Sequence, residues 1–134
     1  MKVYVSDNGI LSLDEGLDHD SARQRKDGQP LPFHPPPPNG FPPYSLFPFW
    51  ADLMILQDKS HGIFYDIVGE IGARSLTVEW NVTSYDKQDQ YFHFGLSLEE
   101  IRPNVVTFKY YDMAGISTKC TIGVQGRGLN SECF

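Results

Sequence analysis

The sequence predicts an all-β fold, an antiparallel β-sandwich of about seven or eight short strands in one domain over residues 1–134. Three observations carry this. Two segments, Ser75–Val82 and Tyr91–Leu98, alternate apolar and polar residues with a period of two. Turn-forming residues recur between the apolar segments. No segment carries the i, i+3, i+4, i+7 stripe of an amphipathic helix. Aromatic residues make up 13% of the chain, and these types suit a pleated, half-buried surface. A chain of 134 residues is also long enough to bury a core without a metal or disulfide framework.

The elements follow in order. Val3 and Val5 alternate with Lys2 and Tyr4, and Asn8-Gly9 supplies the positive φ of a tight turn, so residues 2–13 read as a hairpin. Residues 14–46 read as a polar and Pro-rich loop insertion. Pro30 to Pro48 holds nine of the ten prolines, including Pro35-Pro36-Pro37-Pro38. Proline cannot donate to a ladder, so this stretch has polyproline II character and is expected to run over the surface. Phe47–Leu53 is a short aromatic strand, and Gly62–Val68 follows the turn-like Asp58-Lys59-Ser60-His61. Alternation places Leu76, Val78, Trp80 and Val82 inward on the next strand, and Phe92, Phe94, Leu96 and Leu98 on the one after. Glu99–Asn104 reads as a turn, and Val106, Phe108 and Tyr110 share a face of the following strand. Lys119–Gln125 is the last strand, with Cys120, Ile122 and Val124 in line.

Charge and motifs narrow the function. The net charge is −6, from 17 acids and 11 bases, and the one basic cluster, Arg23–Lys26, reads as a solvated loop. Nucleic-acid binding is therefore not expected. No apolar run approaches the roughly 18 residues of a membrane span. There is no nucleophile elbow and no phosphate loop, so neither a catalytic residue nor a cofactor is assigned. Glu79 and Glu99 as a carboxylate pair, or Cys120 as a nucleophile, keep a hydrolase as a second alternative. His19, His34, His61 and His93 show no ligand spacing, so no zinc site is expected. Asp52 and Asp66 are a weak Ca²⁺ candidate, against a turn-capping role for Asp52. Tyr85, Tyr91 and Tyr111 fall on polar faces or turns, where a ring can stack on a sugar or anchor a protein. With Asp52 they form the candidate ligand-binding set. Asn81-Val82-Thr83 is an N-glycosylation sequon on a polar strand face. Cys120 and Cys133 either close a short C-terminal disulfide loop or remain two thiols, and export would favour the disulfide.

Several blocks resemble a known family. These are Phe49-Trp50-Ala51-Asp52-Leu53, Ile63-Phe64-Tyr65, Glu79-Trp80, Phe92-His93-Phe94, Val106-Thr107-Phe108-Lys109-Tyr110 and Thr121-Ile122-Gly123-Val124-Gln125-Gly126, in that order. The order resembles the nidogen-type extracellular domain, most closely a family of secreted fungal surface proteins. In that family a strand like Val3 to Gly9 also precedes the Phe-Trp block. The resemblance covers nearly the whole chain except Asp14 to Pro43. It implies an extracellular or cell-surface binding or adhesion module, with a glycan or an extracellular protein as partner. The alternative is a structural segment of a cell-wall or matrix protein with no ligand of its own.

Such domains have further strands at both ends, so this chain is expected to be truncated at both. Met1–Asp7 enters strand-like alternation with no apolar signal region, which by itself points to the cytoplasm. The resemblance, the sequon and the cysteines point outward, so the parent protein is expected outside the cell, with Met1 an internal or mis-assigned start. Val3–Ser6 and Thr121–Val124 would then lack cover, and edge-strand self-association is expected there.

Overall fold

A computed structural model describes residues 2–13, 28–31, 42, 44–114, 119–126 and 132–133. The Arg23–Lys26 cluster, His19, His34 and the Pro35–Pro38 run lie outside the described residues. Ten strands are present among the described residues: β1 (Val3–Ser6), β2 (Ile10–Leu13), β3 (Tyr44–Trp50), β4 (Leu53–Met54), β5 (Gly62–Val68), β6 (Ser75–Ser84), β7 (Tyr91–Glu99), β8 (Arg102–Met113), β9 (Thr121–Gly126) and β10 (Glu132–Cys133). No helix occurs among the described residues. The strands form two five-stranded sheets, and every pairing with a resolved register is antiparallel. The all-β, two-sheet expectation therefore holds. By backbone contacts the chain divides into two compact units, Met1–Leu53 with Ser117–Phe134, and Met54–Ile116.

In the first unit the sheet order is β1-β2-β3-β9-β10. The β1–β2 hairpin turns where Asn8-Gly9 predicts, with Gly9 at φ 74° and three residues between Ser6 and Ile10. Asn8 is buried, and its side chain accepts a hydrogen bond from the Leu53 amide at 3.1 Å. β3 begins at Tyr44, so the strand takes the last residues assigned to the loop. Every residue of β3 after Tyr44 is buried. Pro48 is tolerated there because the β3–β9 register shifts between Phe47 and Trp50. The same shift brings Trp50 onto the Phe47 face, with ring centroids 5.3 Å apart.

Two sequence expectations are corrected in this unit. Ile122 and Val124 do not form the buried line of β9. Thr121, Gly123 and Gln125 do. The reason is volume: Gly123 lies opposite Phe47 and Thr121 opposite Trp50, so small residues face the aromatics of β3. Within β9, Gly123 and Val124 also pair with β10. The Pro-rich stretch is not wholly a surface excursion. Gly28 is buried, Leu31 packs on Ile10, Phe47 and Trp50, and the Thr121 hydroxyl donates to the Gln29 carbonyl at 2.6 Å.

In the second unit β6, β7 and β8 pair in order, β4 continues the sheet beside β6, and β5 pairs with β6 over seven residues without a break. The alternation read from sequence is present: Val78, Trp80, Val82, Phe92, Phe94 and Leu96 are buried on one face. The Trp80 and Phe94 rings stack at 5.2 Å. β8 starts at Arg102, earlier than the expected turn allowed, with Pro103 on an edge strand where its missing N–H costs no ladder bond. At the end of the sheet, Glu100 accepts from the Gly72 and Arg74 amides and from the Arg74 guanidinium, which ties the β5–β6 turn to the β7–β8 turn.

Candidate functional site

The other face of the second sheet is polar and aromatic, and it gathers the side chains best suited to contact a ligand. The ladder sets Asn81 beside His93, Glu79 beside Gly95, and Thr77 beside Ser97. Across on β5, Phe64 pairs with Glu79 and Gly62 with Asn81. A glycine at position 95 is required. A Cβ there would stand 2.5 Å from the Val78 carbonyl oxygen and 3.2 Å from Cγ of Glu79. Glu79 therefore leans across the space that a larger residue would fill. Its carboxylate reaches Nε2 of His93 at 3.1 Å and hydrogen-bonds the Tyr111 hydroxyl.

Tyr111 owes its position to an irregularity. His93 pairs with Asp112 and Phe94 with Tyr110, so Tyr111 is the extra residue of a bulge. The bulge lays its ring on His93, with centroids 4.4 Å apart and planes tilted by 26°. Tyr91 precedes His93 by two residues on the same face and stacks on His61 at 5.6 Å. Nδ1 of His61 is fixed by accepting from the Leu56 amide at 3.3 Å. Phe64 is half exposed and folds back over Gly62, where its ring edge lies 3.0 Å from the place of a Cβ.

Electrostatics keep both phenols protonated. Partial burial, then the charge of Glu79, then its hydrogen bond, raise the Tyr111 pKa. Burial first, then Asp112 and Glu79, raise that of Tyr91. The face thus offers carboxylate acceptors, a phenol donor and flat rings together. One acceptor among the described residues has no partner: Oδ1 of Asn81 is buried and makes no hydrogen bond.

The structure brings together two of the four candidate ligand residues, Tyr91 and Tyr111. Tyr85 is exposed in the bend after β6. Asp52 is half-buried in the bend between β3 and β4, in the first unit, whereas Asp66 is exposed on β5 in the second. No group of three or more His, Cys, Asp or Glu able to hold a metal occurs among the described residues. Asn81 does lie on the polar face, but in mid-sheet between β5 and β7. Glu99 pairs with Arg102 and sits opposite Ser75, four residues along β6 from Glu79. That is about 13 Å of backbone at strand spacing.

Of the two cysteines, Cys120 precedes β9, and Cys133, on β10, pairs with Gly123.

Sequence reasoning passed over Glu79, His93, His61 and Phe64 as ligand contacts. The alternation did place Glu79 and His93 on the polar face, and a glycine between the two polar residues of a strand was the available signal for open space beside them.

A family model for NIDO-related, that is nidogen-related, domains matches residues 1–133. No curated protein and no solved structure matches the chain.

Proposed function

We propose that this chain, which belongs to the nidogen-related family, recognises a glycan through the polar face of its second sheet. Family membership makes it a module of the extracellular type. The ligand class comes from the site. A sugar presents C–H faces that stack on rings and hydroxyls that donate to carboxylates. Tyr111, Tyr91, Phe64 and Glu79 offer both on one face, and the juxtaposition of Glu79 with the His93–Tyr111 stack is the observation that carries the reading. Binding is further supported by the state of Glu79, whose carboxylate already holds His93 and Tyr111.

A glycan array with the purified chain tests this. A reproducible class of neutral glycans should bind, and Tyr111→Ala and Tyr91→Ala should each lose binding while keeping the wild-type circular dichroism. No reproducible hit would favour a structural segment without a ligand. Hits unaffected by both substitutions would move the site elsewhere.

A further inference from the structure

We propose that β5 is a homodimerisation edge, pairing antiparallel with β5 of a second copy about a two-fold axis at Tyr65. The four sheet edges are treated very differently. β1 is four residues long and follows Lys2, and β10 has two residues. β8 is long, but it carries Pro103, Lys109 and Asp112 and is bulged at two places. These features block edge pairing. β5 has no proline, no lysine and no bulge, and it is longer than β1 and β10. Its ladder to β6 is unbroken over seven residues, Asp66 is its one charge, and no other strand pairs with it among the described residues.

The strand is also exposed on both faces. Phe64, Tyr65, Ile67 and Val68 are 51%, 75%, 56% and 56% exposed. Together they leave on the order of 500 Å² of largely apolar side chain in water, a large part of the roughly 800 Å² per partner of a stable interface. Nearby Ile71, in the following turn, is more exposed still.

The occupant follows from the strand's own symmetry. In an antiparallel two-fold pair the axis is perpendicular to the sheet, so residues facing each other must lie on the same face. The axis must then pass through a residue, and three positions keep most of β5 paired. On Asp66 it would set two carboxylates directly opposite, which is unfavourable. On Phe64 it would leave the Ile67–Val68 end without a β5 partner. On Tyr65 it pairs all seven residues: Gly62 with Val68, Ile63 with Ile67, Phe64 with Asp66, and Tyr65 with itself. One face then becomes a continuous Ile-Tyr-Ile ladder, and Asp66 meets a ring edge. The same operator puts the polar faces of both copies on one side of a joined sheet.

Sedimentation equilibrium on the full chain tests this, together with NMR on a mixture of labelled and unlabelled chains. A dimer is expected, with intermolecular contacts between the Ile63 and Ile67 methyls. Tyr65→Lys and Ile67→Lys each place charge on the ladder and should weaken dimerisation by about tenfold or more with the fold retained. A monomer at all accessible concentrations would overturn the proposal. So would a dimer that neither substitution weakens, or intermolecular contacts on β1, β8 or β10. If both variants unfold, the wild-type contacts decide the matter alone. A monomer that captures an unrelated extended peptide at β5 would also overturn it, since the proposed partner is a second copy.

Discussion

β3 and β6 are the central strands of their sheets, yet they are built on opposite plans. β3 is buried on both faces from Ser45 to Trp50. β6 buries Val78, Trp80 and Val82 and leaves Thr77, Glu79 and Asn81 half-exposed. A strand buried on both sides has no free face, and its residues answer only to packing. A strand buried on one side can carry chemistry on the other. In this chain the candidate site lies on the second sheet, where alternation persists, and the first sheet supplies no comparable open face among the described residues.

The strongest way to sharpen that contrast is to truncate one residue of each kind. Trp50→Ala removes a fully buried ring packed at a tilt against Phe47 and should cost about 3–5 kcal/mol in chemical denaturation. Tyr111→Ala, on the open face, should cost less than about 1 kcal/mol and act on binding instead. Comparable losses for the two would break the distinction.

Gly95→Ala probes the seam between the faces of the second sheet. The added Cβ meets backbone at 2.5 Å and cannot be relieved by a rotamer change. We expect a loss of about 1–3 kcal/mol in denaturant midpoint analysis, with Glu79 displaced. A neutral result would mean that β6 and β7 are free to separate there.

Glu100 makes the stability of the second unit depend on pH. Its hydrogen bond from Arg74, followed by the backbone amide of Arg74 and then that of Gly72, lowers its pKa from 4.5 to about 2. Because the folded value lies below the unfolded one, this contribution is complete above about pH 4.5 and is lost as pH falls toward 2. Thermal melts across that window should show the slope, and Glu100→Gln should flatten it. An unchanged slope in the variant would assign the acid sensitivity to other carboxylates.

The smallest expected effect is spectroscopic. Glu79→Gln removes the negative charge beside Tyr111 while keeping an acceptor oxygen, so its phenol should titrate at lower pH in an ultraviolet titration. It should remain above the ordinary tyrosine value, because partial burial is the larger cause. No shift at all would separate Glu79 from the Tyr111 side of the site.

Much of the second unit was legible in the sequence because alternation is local. The limits of β5 were read to the residue, and the inward faces of β6 and β7 were assigned correctly. Tyr91 and Tyr111 were recognised as face residues for the same reason. His93 and Glu79 were on the correct face, but His93 read as ordinary and Glu79 only as half of a carboxylate pair with Glu99, because their meeting depends on which residues β6 and β7 set opposite each other.

The sequence by itself determined the strand content, the period, the Asn8-Gly9 turn and the two-faced character of the second sheet. Each of these depends on residues within a few positions of one another. The tertiary structure decided the rest: that small β9 residues face Phe47 and Trp50, that Asn8 holds Leu53, that Leu31 enters the core, that Glu100 clamps a turn 26 residues away, and that a bulge lays Tyr111 on His93. Each of those is a contact between segments distant in the chain. A local pattern fixes which way a side chain points along its own strand, but register and bulges fix what it meets.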